Sequence, residues 1–173
     1  MKYLSAIFLF LLAATGLCDE YQGWWDVAPA GSGFTVKMPG IAMHMSKKIS
    51  EEGVSYVVHK YGVTSGQLFY TVGYADMSKI TIPADQVDQL LQNFIGGMTK
   101  VNKGTLLQNE KAPVQNQPGR IYMVQSPDGR ITLGMTCWDG KHHYFISLKG
   151  PSDAFKNDAA RTYFKTFKMT NVK

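Results

Sequence analysis

The sequence has little cysteine and little charge, and both shortages limit what the protein can be. Only two of its 173 residues are cysteine, so a disulfide-dense mini-scaffold is excluded. Charged residues make up 18% of the chain and hydrophobic residues 45%, a balance typical of a globular protein rather than a disordered one. The basic residues form no dense run of the kind that binds nucleic acid. We therefore expect a folded chain without a nucleic-acid partner.

Sequence signatures of common enzyme classes are also missing. The chain contains no Gly-x-Ser-x-Gly elbow, phosphate-binding loop, dinucleotide fingerprint, His-Glu-x-x-His or Cys-x-x-Cys. No cofactor is predicted for this reason. An enzyme stays open as an alternative, because catalytic groups assemble in space rather than along the sequence.

The apolar run at the N-terminus predicts export. Lys2 precedes the uncharged apolar stretch 4–14, and small residues follow at positions suited to signal peptidase. The stretch is shorter than the roughly 20 residues of a comfortable membrane span. We predict a signal peptide over 1–18 and a single α+β domain over 19–173, located in the periplasm or secreted, with no transmembrane span.

Cys18 adds an alternative to this predicted location, because a cysteine at such a position can carry the lipid of a bacterial lipoprotein. Leu17 stands where that processing favours a small residue, and Gly16 lies one position too early. A soluble mature chain is therefore favoured over a lipid anchor. In either case Cys137 is left alone, so no internal disulfide is expected.

Hydrophobic periodicity predicts one long helix between Pro83 and Gly104. Seven apolar residues recur at helical spacing and are expected to form its buried stripe: Val87, Leu90, Leu91, Phe94, Ile95, Met98 and Val101. Gly96 and Gly97 lower the helix propensity, and we expect them to allow close packing on a sheet or a kink. Ser152 is predicted to cap a second helix with Phe155, Ala159 and Tyr163 buried, and a short strand near Phe167 and Met169 is expected to follow it.

Alternating apolar residues and turn signals predict strands around these helices. Segments 54–61 and 68–75 are expected to form a hairpin with the five-residue loop 62–66. Asp128-Gly129 and Asp139-Gly140 predict two further hairpins with two-residue turns. In that register Leu133 faces both Val124 and Ile146. The order of elements indicates an α+β fold in which two helices cover an antiparallel sheet of about six to seven strands.

Several landmarks resemble the PsbP/Mog1 type of α/β sandwich. They are the segment 33–40, Pro118-Gly119-Arg120, Tyr144-Phe145 and the segment 164–167. Similar patterns occur in exported bacterial proteins of unknown function. The resemblance implies a non-enzymatic binding or assembly module whose partner, a protein or a small molecule, is unknown. It assigns no ligand residues.

One group of residues could support an enzyme instead. The predicted register places Arg120, Cys137 and His142 on adjacent strands, and a nearby imidazole or guanidinium favours the reactive thiolate. This would make the protein a small cell-envelope enzyme, thiol-dependent or hydrolytic. The competing interpretation is that Cys137 is a buried apolar residue and that His142 covers the end of the sheet.

Two weaker candidates concern binding. Met43, His44 and Met45 are ligand types that suit Cu(I), although strand alternation would turn His44 away from the two methionines. Trp24 and Trp25 could form an exposed aromatic platform for a sugar or a partner surface. The alternative is that one tryptophan covers the core and the other is half-buried.

Overall fold

The computed structural model describes residues 23–51 and 54–170, and within them a seven-stranded antiparallel sheet forms the centre of the fold. The predicted signal peptide, with Cys18, lies outside these residues. In chain order the strands are β1 (Trp25–Val27), β2 (Phe34–Met38), β3 (Met43–Glu51), β4 (Val54–Ser65), β5 (Leu68–Asp76), β6 (Thr105–Lys111), β7 (Gly119–Gln125), β8 (Ile131–Trp138), β9 (His142–Gly150) and β10 (Lys168–Met169). The large sheet has the order β3-β4-β5-β9-β8-β7-β6.

Helix α1 (Val87–Val101) covers one face of this sheet, which we call the helix face. The helical spacing predicted this element, and Leu91 and Ile95 are buried as expected. Val101 is 84% exposed, so its assignment to the buried stripe was wrong: it lies in the last turn. In the described structure nothing lies within 4 Å of a Cβ added at Gly96 or Gly97, so the prediction that they pack closely on the sheet was also wrong.

The other face of the sheet, the core face, packs against a small sheet and the second helix. Strands β1, β2 and β10 form that small sheet, and α2 (Asp158–Thr166) lies beside it. The α2 helix begins at Asn157, whose side chain accepts a 2.9 Å hydrogen bond from the Ala160 N–H. Ser152 lies in a separate 3₁₀ turn and makes no cap hydrogen bond, so the predicted cap was wrong, whereas the short terminal strand is confirmed as β10.

All three predicted hairpins differ from the structure in their turns. Ser65 pairs with Leu68, so β4 continues through the expected five-residue loop and turns at Gly66-Gln67. The β8–β9 turn is centred on Gly140-Lys141 rather than on Asp139-Gly140, and Leu133 therefore pairs with Leu148. That shift of two residues leaves every side chain on its expected face.

The β7–β8 hairpin has the larger error. Ser126 N–H donates to the carbonyl of Arg130 at 2.8 Å, which leaves three residues in the loop rather than two. Leu133 consequently pairs with Met123 instead of Val124. A one-residue shift exchanges the two faces of β7, and Tyr122 and Val124 pack with Ile95 under α1.

Candidate functional site

Cys137 lies on β8 on the core face and has no exposed surface. Its Sγ lies 3.9 Å from Sδ of Met169. Burial is the main cause that raises the pKa of the Cys137 thiol well above its ordinary value, and the negative charge of Asp139 raises it further. Because the thiolate is the reactive form of cysteine, this burial favours the interpretation of Cys137 as a packing residue over that of a reactive thiol.

His142 begins β9 and is held by Asp139 rather than by a thiol. Asp139 Oδ2 lies 3.2 Å from His142 Nδ1 and accepts a 2.8 Å hydrogen bond from the Tyr144 hydroxyl. Asp139 Oδ1 accepts from the backbone N–H groups of Lys141 and His142. Burial alone would raise the pKa of Asp139, but these hydrogen bonds outweigh it and lower the pKa to about 2. The cluster closes the β8–β9 turn, and His142 is fully buried in it.

Arg120 lies on the opposite face of the sheet from Cys137. The direct partner of Cys137 on β7 is Gly119, and Arg120 pairs with Thr136. Its guanidinium donates to Asp88 Oδ1 at 2.6 Å and to Asn109 Oδ1 at 2.6 Å. The structure therefore separates Arg120 from the other two residues of the proposed catalytic group, because the β7 register differs by one residue from the predicted one.

The Met43-His44-Met45 segment is divided between two faces, as strand alternation requires. His44 shares its face with His59, and His44 Nε2 lies 3.1 Å from His59 Nδ1. Met43 and Met45 point to the other face and are 72% and 47% exposed. Across the residues that the structure describes, no three His, Cys, Asp or Glu side chains form a group that could hold a metal ion.

The two tryptophans have different environments. Trp24 is partly buried and packs edge-on against Tyr70, with ring centroids 5.9 Å apart. Trp25 lies on β1 and is 58% exposed. The pair therefore does not form one flat platform. Trp24 covers the core, and Trp25 is available at the surface.

No sequence pattern predicted the groove on the helix face, which we call the helix-face groove. It has a volume of about 420 Å³ and lies between α1 and strands β5 and β9, with Lys60, Phe69, Phe94, Thr132, Phe145 and Lys149 among its lining residues. Helix α1 packs on β7 and β8, so part of β5 and β9 is left beside it. The groove therefore opens the helix face of β5 and β9 to the surface.

Two glycines give this groove its aromatic floor. Phe145 pairs with Gly73, and a Cβ on Gly73 would overlap the Phe145 ring. Likewise a Cβ on Gly62 would stand 2.7 Å from Cζ of Phe69. Because glycine has no side chain, both rings can lie against the strand backbone. Phe94 of α1 forms one side of the groove, with its ring centroid 5.0 Å from that of Phe145.

Lysines supply the charge of the groove. Lys60 Nζ lies 5.5 Å from the centre of the Phe69 ring, a cation–π distance. Burial is the main cause that lowers the pKa of Lys60, and the positive charge of Lys149 lowers it further. Lys149 Nζ donates to Asn102 Oδ1 at 3.2 Å. Two ammonium groups are thus held near one another on an apolar surface.

Comparison with known proteins bears on the fold. No protein-family model matches the chain, and no curated protein matches it. The solution structure of cyanobacterial PsbP (CyanoP) from Synechocystis sp. PCC 6803 matches with a TM-score of 0.56 and 14% identity, over 91% of this chain and 98% of that chain. The fold is PsbP-like. The predicted α+β class and its sheet covered by two helices are therefore confirmed.

The PsbP-like fold does not assign the site residues, because folds host many functions. At this level of identity the likeness concerns the backbone architecture alone. The described residues include no helix that is long and apolar enough to cross a membrane. The roles of individual side chains are therefore argued from their contacts in this chain.

Proposed function

We propose that this chain is an exported, non-enzymatic binding or assembly module. The observation that carries the proposal is the complete burial of Cys137 and His142, the two residues on which thiol-dependent or hydrolytic chemistry would depend. A nucleophile and its base need contact with substrate, and neither side chain reaches the surface. The PsbP-like fold supports a binding role by analogy only.

The exposed apolar residues near β3 support assembly with a partner. Ile41, Met43 and Met45 are 77%, 72% and 47% exposed, Met43 and Met45 lie on the same face of β3, and exposed apolar patches mark interaction sites. Strand β3 is also an edge of the large sheet, so its outer backbone groups are available for pairing with another chain. We propose that this edge contacts a protein partner.

Export is proposed from the N-terminal pattern. The lysine, the apolar stretch and the small residues of segment 1–18 together favour cleavage and a periplasmic or secreted mature chain. N-terminal sequencing of the native protein tests this: a mature chain that begins at residues 17–19 is expected. A chain that retains Met1 would contradict export, and a diacylglyceryl mass on Cys18 would establish the anchored form.

Affinity capture from the native compartment, with mass-spectrometric identification, tests the binding role. The Met43→Ser/Met45→Ser double variant should lose the captured partner. Val101→Ser is the matched control, because Val101 is 84% exposed but lies on α1, and it should retain the partner. Equal capture by both variants would contradict the β3 surface. Turnover of a substrate that disappears in Cys137→Ser would instead favour the enzyme.

A further inference from the structure

The helix-face groove places positive charges beside apolar rings, an arrangement that costs free energy when no ligand is bound. Lys60 and Lys149 place two positive charges beside apolar rings, and burial of a charge next to another of the same sign is unfavourable. Among the described residues neither lysine has a carboxylate within 4.0 Å, in contrast to Lys37 and Lys111. The positive charge at the groove is therefore not neutralised by the part of the chain that the structure describes.

Thr132 provides a second, independent observation. Its side chain lines the groove and is 4% exposed, and no described residue offers its Oγ1 a hydrogen bond. A buried hydroxyl without a partner costs free energy that valine, of almost the same shape, would not incur. Thr132 pairs with Lys149 across β8 and β9, which places the hydroxyl beside the cationic edge. Hydroxyl and ammonium groups together are donors for an anionic oxygen.

The apolar part of the groove limits the ligand further. Three phenyl rings, those of Phe69, Phe94 and Phe145, line it. Its volume of about 420 Å³ lies within the range of roughly 300–1,000 Å³ typical of small-molecule sites. An inorganic anion would leave these rings exposed, and a neutral apolar molecule would leave both ammonium groups without a counter-charge. A ligand that satisfies both needs an apolar body and one anionic end.

We propose that the helix-face groove binds an amphipathic organic anion, a carboxylate or sulfonate with a flat apolar body. The anionic oxygens lie between Lys60 and Lys149 and accept a hydrogen bond from Thr132, and the body lies on Phe69 and Phe145. The inference rests on the proposed binding function and adds the class of ligand to it. It uses other side chains than the proposed protein-binding edge at β3, although Met45 of that edge pairs with Lys60 across β3 and β4.

Calorimetric titration of the purified full-length chain tests the groove with three probes: 2-naphthoate, decanoate and the neutral 2-naphthylmethanol. We expect both carboxylates to bind and the alcohol to bind at least about tenfold more weakly, because it lacks the charge-assisted contacts. Tighter binding of naphthoate than decanoate would indicate an aromatic body, and the reverse an aliphatic one. Equal binding of the alcohol and naphthoate, or no binding of either carboxylate, would overturn the proposal.

Three substitutions locate the binding. Lys60→Gln and Lys149→Gln should each weaken naphthoate binding by about tenfold, while Lys165→Gln, an equal charge change on exposed α2 surface, should leave it unchanged. Thr132→Val should weaken binding and also raise the melting temperature of the free protein, since it removes a buried hydroxyl without a partner. If Thr132 has only a structural role, Thr132→Val should change neither the affinity for naphthoate nor the preference for a charged ligand. That result would show that Thr132 does not belong to the site.

The groove and the proposed function can fail separately. If the mature chain captures a protein partner but binds neither carboxylate, the groove inference is wrong and the assembly role stands. If the chain turns over a substrate through Cys137, the non-enzymatic function is wrong, whereas the lysine-dependent titration still decides the groove. Far-UV circular dichroism of each variant confirms that the compared proteins are equally folded.

Discussion

The guanidinium of Arg120 donates a 2.6 Å hydrogen bond to Asp88 and thereby joins β7 to the first turn of α1. The Arg120 side chain is 8% exposed and that of Asp88 is 32% exposed. Asn109 on β6 accepts two further hydrogen bonds from the same guanidinium. Arg120 thus joins β6, β7 and α1 on the helix face.

Loss of this junction should destabilise the fold. Arg120→Met is expected to lower the free energy of unfolding by about 1–3 kcal/mol, because Asn109 loses its guanidinium donor and Asp88 keeps only Lys111 and Gln92 as partners. Urea unfolding followed by circular dichroism measures this. The control is Arg161→Met, since the Arg161–Asp158 pair is 3.8 Å long and exposed, and it should cost less than about 0.5 kcal/mol. Equal effects of the two substitutions would contradict the role of Arg120.

Two glycines of α1 should be replaceable with a gain in stability. Gly96→Ala and Gly97→Ala are each expected to raise the free energy of unfolding by about 0.5–1 kcal/mol, because alanine is the better helix former and its methyl group meets nothing within 4 Å at either site. Gly134→Ala is the contrasting variant. Its Cβ would overlap the Tyr122 ring and lie 2.8 Å from the Ile146 carbonyl oxygen, so it should destabilise. Thermal melting ranks the three.

Asp139 should make the protein sensitive to acid. Its pKa is lowered from 3.8 to about 2 in the folded chain, so the folded state favours the carboxylate. The resulting stabilisation, about 2 kcal/mol, is present above about pH 4 and is lost as the pH falls to about 2.

Urea unfolding at a series of pH values checks this expectation. Asp139→Asn should be less stable than the natural chain at neutral pH, and the difference should shrink towards pH 2, within about one pH unit. Asp158→Asn, whose carboxylate is 82% exposed, is the control. A difference between Asp139→Asn and the natural chain that does not depend on pH would count against the carboxylate network around His142 and Tyr144.

The Cys137 thiol should be inert in the folded protein. In a Cys18→Ser background it is the only thiol, and we expect slow labelling by a thiol reagent in buffer and fast labelling in denaturant, because burial raises its pKa and blocks access. Cys137→Ser should preserve function and cost about 1–3 kcal/mol of stability. Fast native labelling that slows on acidification would revive the thiol-dependent enzyme.

Local features of the sequence were enough to predict the fold class and the presence of both helices, although not the residue at which α2 begins. The helical spacing from Val87 onward predicted α1 because each apolar residue needs only its neighbours three and four positions away to define a stripe. It overextended the stripe to Val101, since burial at a helix end depends on where the sheet stops. Composition and alternation predicted the antiparallel sheet and its helical cover for the same local reason.

Strand register required the tertiary structure. An Asp-Gly pair predicts that the chain turns, but the turn at Asp128-Gly129 takes a third residue, and one residue is enough to exchange the faces of β7. That exchange moved Arg120 away from Cys137 and placed it against Asp88. This single shift separates Arg120 from the predicted group with Cys137 and His142, whereas the two-residue shift at β8–β9 left the faces unchanged.

The helix-face groove was decided by the tertiary structure alone. Lys60 and Lys149 lie far apart in sequence, and so do Gly73 and Phe145, which become direct partners only when β5 pairs with β9. Taken alone, each of these residues is typical of a strand and does not indicate a groove. The sequence determines which side chains are charged, aromatic or absent, through local chemistry. Pairings between distant strands decide which of these side chains share one face of the sheet and which remain uncovered by the helix. No short-range pattern contains that information.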